Sequence, residues 1–285
     1  MKLAGLFGKR SNAGDAGGPT GMSPPPGAEP HADHPPDLAG RRRFLADHIF
    51  IHTHVPKTAG STLSHALSAI VGGAHAMDLR LKRRIWVRDM STEDKRDLRL
   101  IAGHFKYGMH QRFPQKPLYI AALRDPVERA VSYYRFVLGA PKNPHHTLFK
   151  ELGFEASWDQ MEGRAAETRS DEQSRILCGI EADEPLDAGL LQQRADTDYF
   201  LLIPSHRVDH ALKRLRGAFG MPGTKFPVMN PSQTEEIEVT RSAREKILAA
   251  NSHDAALVAR VENEFDVRLD RAVAYIAHHC LKDDG

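Results

Sequence analysis

His48-Ile49-Phe50-Ile51-His52-Thr53-His54-Val55 runs directly into Pro56-Lys57-Thr58-Ala59-Gly60-Ser61-Thr62 and then Leu63. An apolar strand here delivers the chain into a turn, and a helix follows to about Val71. The turn carries a lysine, a glycine and three hydroxyl residues where the strand ends and the helix begins. Free backbone N–H groups and the positive end of the helix dipole therefore converge on one point, which suits an anion such as phosphate. The arrangement differs from the common nucleotide loop G-x-x-x-x-G-K-[ST], in which Lys directly precedes the last hydroxyl residue; here Lys57 lies three residues before Gly60.

Outward from this turn, strand-like and helix-like segments alternate. Ile85-Trp86-Val87 is a short strand candidate, Leu98 to Phe105 leads into another, Leu118-Tyr119-Ile120-Ala121-Ala122-Leu123 reads as a buried strand, and Tyr199 to Pro204 as a late one. Helices are expected from Pro126 to about Leu138, from Asp209 to Phe219, within residues 155–197 and across 240–279. Strands separated by helices imply an α/β fold: a P-loop-like central parallel sheet flanked by helices, with ligands at the carboxyl ends of its strands.

The segment Arg124-Asp125-Pro126-Val127-Glu128-Arg129-Ala130-Val131-Ser132 follows one such strand end. Pro126 suits a helix start, Glu128 suits its positive end, and Ser132 falls about 9 Å along the axis from that start. Taken alone the segment is equally an ordinary capped helix. Together, the two motifs resemble those of the sulfotransferase family, in the branch that includes heparan sulfate 2-O-sulfotransferase and related Golgi and bacterial enzymes. The resemblance covers roughly residues 47–270. It implies the sulfotransferase fold and 3′-phosphoadenosine 5′-phosphosulfate (PAPS) as donor. It also implies that Lys57, Thr58, Ala59, Gly60, Ser61 and Thr62 hold the 5′-phosphosulfate and that Arg124 and Ser132 hold the 3′-phosphate. Asp171-Glu172-Gln173-Ser174-Arg175 resembles a family segment near the acceptor cleft, with Glu172 where the family usually has Asn. A loop containing Asn230-Pro231-Ser232 stands where the family contacts the adenosine end.

Sulfuryl transfer requires a base for the acceptor proton and a cation for the departing phosphate. Lys57 suits the second task. His104, in Gly103-His104-Phe105 at a strand end, is the candidate base, since an imidazole titrates near neutrality and the related branch uses a His in a Gly-His context. The plainer reading of His104 is a residue that caps a strand. His52 and His54 share one face of the first strand at a two-ligand metal spacing, but no third ligand matches, and no metal is expected.

Composition bounds the alternatives. The 285 residues are 41% hydrophobic and 27% charged, which suits one sizeable core, and the net charge of +2 gives no support to nucleic acid as the main partner. Residues 1–44 form a Pro/Gly-rich segment expected to be disordered, its first 40 positions holding seven Pro and eight Gly; the resemblance implies that residues 45–285 form a sulfotransferase domain. Arg41-Arg42-Arg43 reads as a solvated linker end. No run reaches the length of a membrane helix, and Cys178 and Cys280 show neither zinc nor disulfide spacing, so a cytoplasmic enzyme is expected. The favoured acceptor is a carbohydrate hydroxyl; oligomeric state is unreadable. Two other classes stay open: an ATP-dependent phosphotransferase with Asp125 on magnesium, and a nucleotide-binding protein without catalysis.

Overall fold

The structure, a computed structural model, describes residues 38–80, 87–160, 170–221 and 237–281. The chain enters through α1 (Leu38–Asp47) and continues through β1 (His48–Thr53), α2 (Gly60–Val71), β2 (Ala76–Asp78), α3 (Thr92–Asp97) and β3 (Leu100–Gly103). It then forms β4 (Lys116–Leu123), α4 (Pro126–Leu138), α5 (His146–Gln160), α6 (Glu172–Cys178) and α7 (Ala188–Gln193). β5 (Tyr199–Pro204), α8 (Val208–Ala218), α9 (Arg241–Ala250) and α10 (Ser252–Leu281) complete it. Phe44 and Leu45 on α1 are buried, so this helix runs across the boundary expected at residue 44 and contains Arg41-Arg42-Arg43.

All five strands are parallel, in the order β2-β3-β1-β4-β5, which is the α/β architecture the alternating pattern predicts. β1 is buried along its whole length, as a central strand of a parallel sheet must be when helices cover both faces. Its side chains alternate between two cores. Phe50 joins Leu118, Ile120 and Ala122 beneath α2 and α8, whereas Ile49 and Ile51 join Tyr119, Ala121 and Leu123 beneath α6 and α7.

α10, with 30 residues and so about 45 Å of length, spans both layers. Leu257, Val258 and Val261 pack in the second core; Phe265, Leu269, Ala272 and Ile276 pack in the first. A third apolar cluster joins α4, α5 and α9 through Tyr134, Phe149, Trp158 and Ile247.

Two sequence expectations are corrected. The strand beside β3 is Ala76–Asp78, paired Ala76 to Leu100 and Asp78 to Ala102, and it escaped notice because three residues carry no periodicity of their own. Val87 opens a single 3-10 turn, Val87–Asp89, instead of ending a strand; Ile85 and Trp86 lie outside the described residues, as do Asn230, Pro231 and Ser232.

From β1 the chain first turns to one side of the sheet, to β2 and β3, and then crosses to β4 on the other side. The carboxyl ends of β1 and β4 are therefore a topological switch point, where a crevice forms between diverging connections. β3 ends beside β1, Thr53 opposite Gly103, so three strand ends meet there.

Candidate active site

The loop after β1 is built to expose backbone donors. Lys57 and Ala59 both take left-handed conformations, φ 68° and 65°, which non-glycine residues adopt only where the surroundings enforce them. Thr58 is fully buried and its hydroxyl donates to the Val55 carbonyl at 2.9 Å, tying the turn to the strand it leaves. Ala59 occupies the cap position of α2 and has no side-chain oxygen, so nothing of its own covers the first-turn N–H groups. An uncapped helix start on a strained turn is the arrangement an anion completes.

Gly60 is required by close approach. A Cβ there would come within 2.0 Å of the His54 ring. His54 in turn is packed between His52, ring centroids 5.4 Å apart, and His104, 4.6 Å apart. The His52 Nδ1 shares a hydrogen bond with Ser64 Oγ on α2 at 2.9 Å. Burial pushes the His52 pKa down to about 3 and drives that of His54 well below its ordinary range, so both rings are neutral props. Ser61 Oγ accepts from Arg80 at 2.9 Å, and Asp78 at the end of β2 pairs with Arg80 through both carboxylate oxygens.

His104 follows β3. Its Nδ1 lies 2.8 Å from the His54 carbonyl, and a carbonyl only accepts, so Nδ1 carries the proton and Nε2 keeps its lone pair. The side chain is exposed, and desolvation by its packed neighbours lowers its pKa; the backbone hydrogen bond pulls the other way. A neutral imidazole with a free Nε2 is what a general base requires.

The second motif forms as the residues suggest, with one difference. Asp125 Oδ1 accepts from the Val127 and Glu128 N–H groups at 2.9 and 3.0 Å, and Pro126 opens α4. The start of this helix is thus closed by its own cap, and an anion here must be held by side chains instead. Arg124 supplies one, half-exposed and only loosely tied to Glu128 at 3.2 Å; Ser132 lies one turn beyond Glu128. Phe136 is a further turn along, and Lys57 Nζ sits 4.5 Å above its ring. Glu128, Ser132 and Phe136 therefore form one i,i+4 row that leads from Arg124 to Lys57. The two cations sense each other: burial first, and then the Arg124 charge, lower the Lys57 pKa. Nothing among the described residues pairs Lys57 with a carboxylate. Two cations this close, with no carboxylate between them, raise the local positive potential at the ends of β1 and β4.

Some of the supporting residues could not be read locally. The buried Gln173 side chain accepts from the Arg124 N–H at 2.9 Å and donates to its carbonyl at 2.8 Å, so it braces the backbone of Arg124. Glu172 pairs with the buried Arg129 of α4. Arg175 donates to the Glu181 and Glu184 carbonyls. Their only sequence signal is the resemblance of residues 171–175; Arg80 and Asp78 had none, and Phe136 closes the motif that begins at Arg124.

Comparison with known proteins adds one finding. No curated protein matches the chain. The model of the sulfotransferase family matches residues 43–177, just under half of the chain. That span holds β1 with its loop, His104, Arg124, Ser132 and α6. Together with the parallel sheet on which they stand, the match supports a sulfotransferase family, and with it a transferase enzyme, for this chain.

Proposed function

We propose that the protein transfers a sulfuryl group from PAPS to an acceptor hydroxyl, a carbohydrate being the favoured class, with His104 as base. The observation that carries this reading is the pairing of Lys57 with Arg124 across the ends of β1 and β4: one cation beside an uncapped helix start, the other beside a serine eight positions on. The donor supplies an activated sulfuryl group on a doubly anchored nucleotide. First-turn N–H groups of α2 and Lys57 hold the 5′ end, and the Lys57 ammonium neutralises charge that develops on the leaving oxygen. Arg124 and Ser132 hold the 3′-phosphate, and Thr58 acts through the fold of the turn. His104 Nε2 takes the acceptor proton while Nδ1 stays bonded to the His54 carbonyl. Positioning and electrostatics do most of the work, as in phosphoryl transfer.

The phosphotransferase alternative would need Asp125 for magnesium, and Oδ1 of that carboxylate is engaged as a helix cap, which favours the sulfuryl-transfer reading. The buried, free Cys178 and Cys280 fit the reducing, cytoplasmic setting proposed for the enzyme. Among the described residues no helix is long and apolar enough to cross a membrane.

Thermal unfolding with 3′-phosphoadenosine 5′-phosphate (PAP) tests the donor. At about 100 times its Kd the ligand adds roughly 2.7 kcal/mol, and a clear rise in Tm is expected. A shift with ATP and none with PAP overturns the reading. His104→Ala is expected to bind PAP like the parent and to transfer about 100- to 10,000-fold more slowly; unchanged turnover would remove His104 from the chemistry.

A further inference from the structure

We propose that Gln173 is a positioning residue for Arg124, so that the grip on the 3′-phosphate is set from α6 and α10 and not from the strand that precedes the arginine. This inference rests on the donor reading above. β4 ends at Leu123 and α4 begins at Pro126, and Arg124 falls between them, past the last pairing of the sheet and before the first turn of the helix. Its N–H and C=O cannot find partners in either element. The Gln173 carboxamide takes both, at 2.9 and 2.8 Å, as a neighbouring strand residue would. The arginine is then oriented from its own backbone, and only its guanidinium remains adjustable.

Gln173 is itself fixed with unusual completeness. The Asp254 carboxylate accepts from the Gln173 and Ser174 N–H groups at 3.2 and 2.8 Å and from Ser174 Oγ at 2.6 Å, and so caps α6 from the start of α10. Asp171 returns the favour: its carboxylate accepts from the Asp254 N–H at 2.9 Å, and its own N–H donates to Asn251 Oδ1 at 3.0 Å. Two helix starts thus cap one another through exchanged aspartates. Gln173, Ser174 and Asp254 are fully buried, so neither carboxamide nor caps can exchange partners with water. The Glu172–Arg129 ion pair ties the same helix to α4 one turn beyond Arg124. Arg124 is therefore held relative to Ser132 by a bracket that arrives from more than forty residues away.

The test compares PAP with adenosine 5′-phosphate, which lacks the 3′-phosphate, by calorimetry on the full chain. Gln173→Met keeps the shape and removes both hydrogen bonds. It is expected to weaken PAP at least about tenfold while adenosine 5′-phosphate stays within about twofold. Gln173→Glu retains the acceptor for the Arg124 N–H and should fall between, and it carries the test if the Met variant does not fold. In an Arg124→Ala background Gln173→Met should cost PAP nothing further. Equal weakening of both nucleotides, or a preference for PAP unchanged in both variants, overturns the inference alone. A parent protein that binds both nucleotides alike overturns the donor reading instead.

Discussion

Gly60 shows how one missing methyl group organises the site. Its α-carbon lies against the His54 ring, and that ring supports His104 by stacking while the His54 carbonyl sets the His104 tautomer. Gly60→Ala must displace His54, which cannot swing freely because His52 packs on its other face. We expect a stability loss of about 1–3 kcal/mol by denaturant unfolding, accompanied by slower transfer. Adding His54→Ala should recover much of the stability and little of the rate, since space is regained but His104 loses its stacking partner. A Gly60→Ala protein with parental stability would show that His54 does not fill this space. The strained loop residues tell the same story. Left-handed Lys57 and Ala59 are costly in isolation and persist because Thr58 is anchored to Val55 and Ser61 to Arg80.

At the level of elements, the two helices that follow β1 and β4 start in opposite ways. α2 begins at an alanine that caps nothing, whereas α4 begins at Asp125, which satisfies two of its own N–H groups. The first helix start is left open and the second is closed, so in the proposed reading Arg124 and Ser132 take the part at α4 that backbone N–H groups take at α2. Asp125→Ala should therefore cost about 1 kcal/mol of stability, read from the unfolding midpoint, and should not abolish PAP binding. Loss of magnesium-dependent activity without loss of stability would instead restore Asp125 as a metal ligand. The strand β1, the Pro126–Leu138 helix and β5 were legible as elements because each carries a strong local signal: an apolar run, a proline start, or an aromatic-rich stretch bounded by a turn. β2 was not, because a three-residue edge strand is defined by its partner, Leu100 to Ala102, and by little within itself.

Across the whole molecule, buried neutral histidines make the fold sensitive to acid. Burial lowers the His48 pKa to about 4 and the His52 pKa to about 3, against an ordinary value of 6.5 that the unfolded chain regains. The unfolded state binds the extra protons, so their contribution is complete above about pH 6.5 and declines as pH falls toward 3 to 4, by roughly 1.4 kcal/mol per pH unit for each histidine. Asp254, whose burial raises its pKa, works in the opposite direction as pH falls toward its ordinary carboxylate range. Unfolding midpoints measured from pH 7.5 to 5 should fall, and His48→Gln should flatten the slope; a flat profile in the parent would show that these rings are hydrated. The local chain determined the α/β alternation, the turn after β1 and the capped start of the Pro126–Leu138 helix, because periodicity, turn chemistry and helix-start residues act over a few neighbours. Only tertiary structure decided that Lys57 and Arg124 come near enough for their charges to interact, that His54 seats His104 and that Gln173 braces Arg124, because those contacts depend on strand order and on helices that meet from distant parts of the chain.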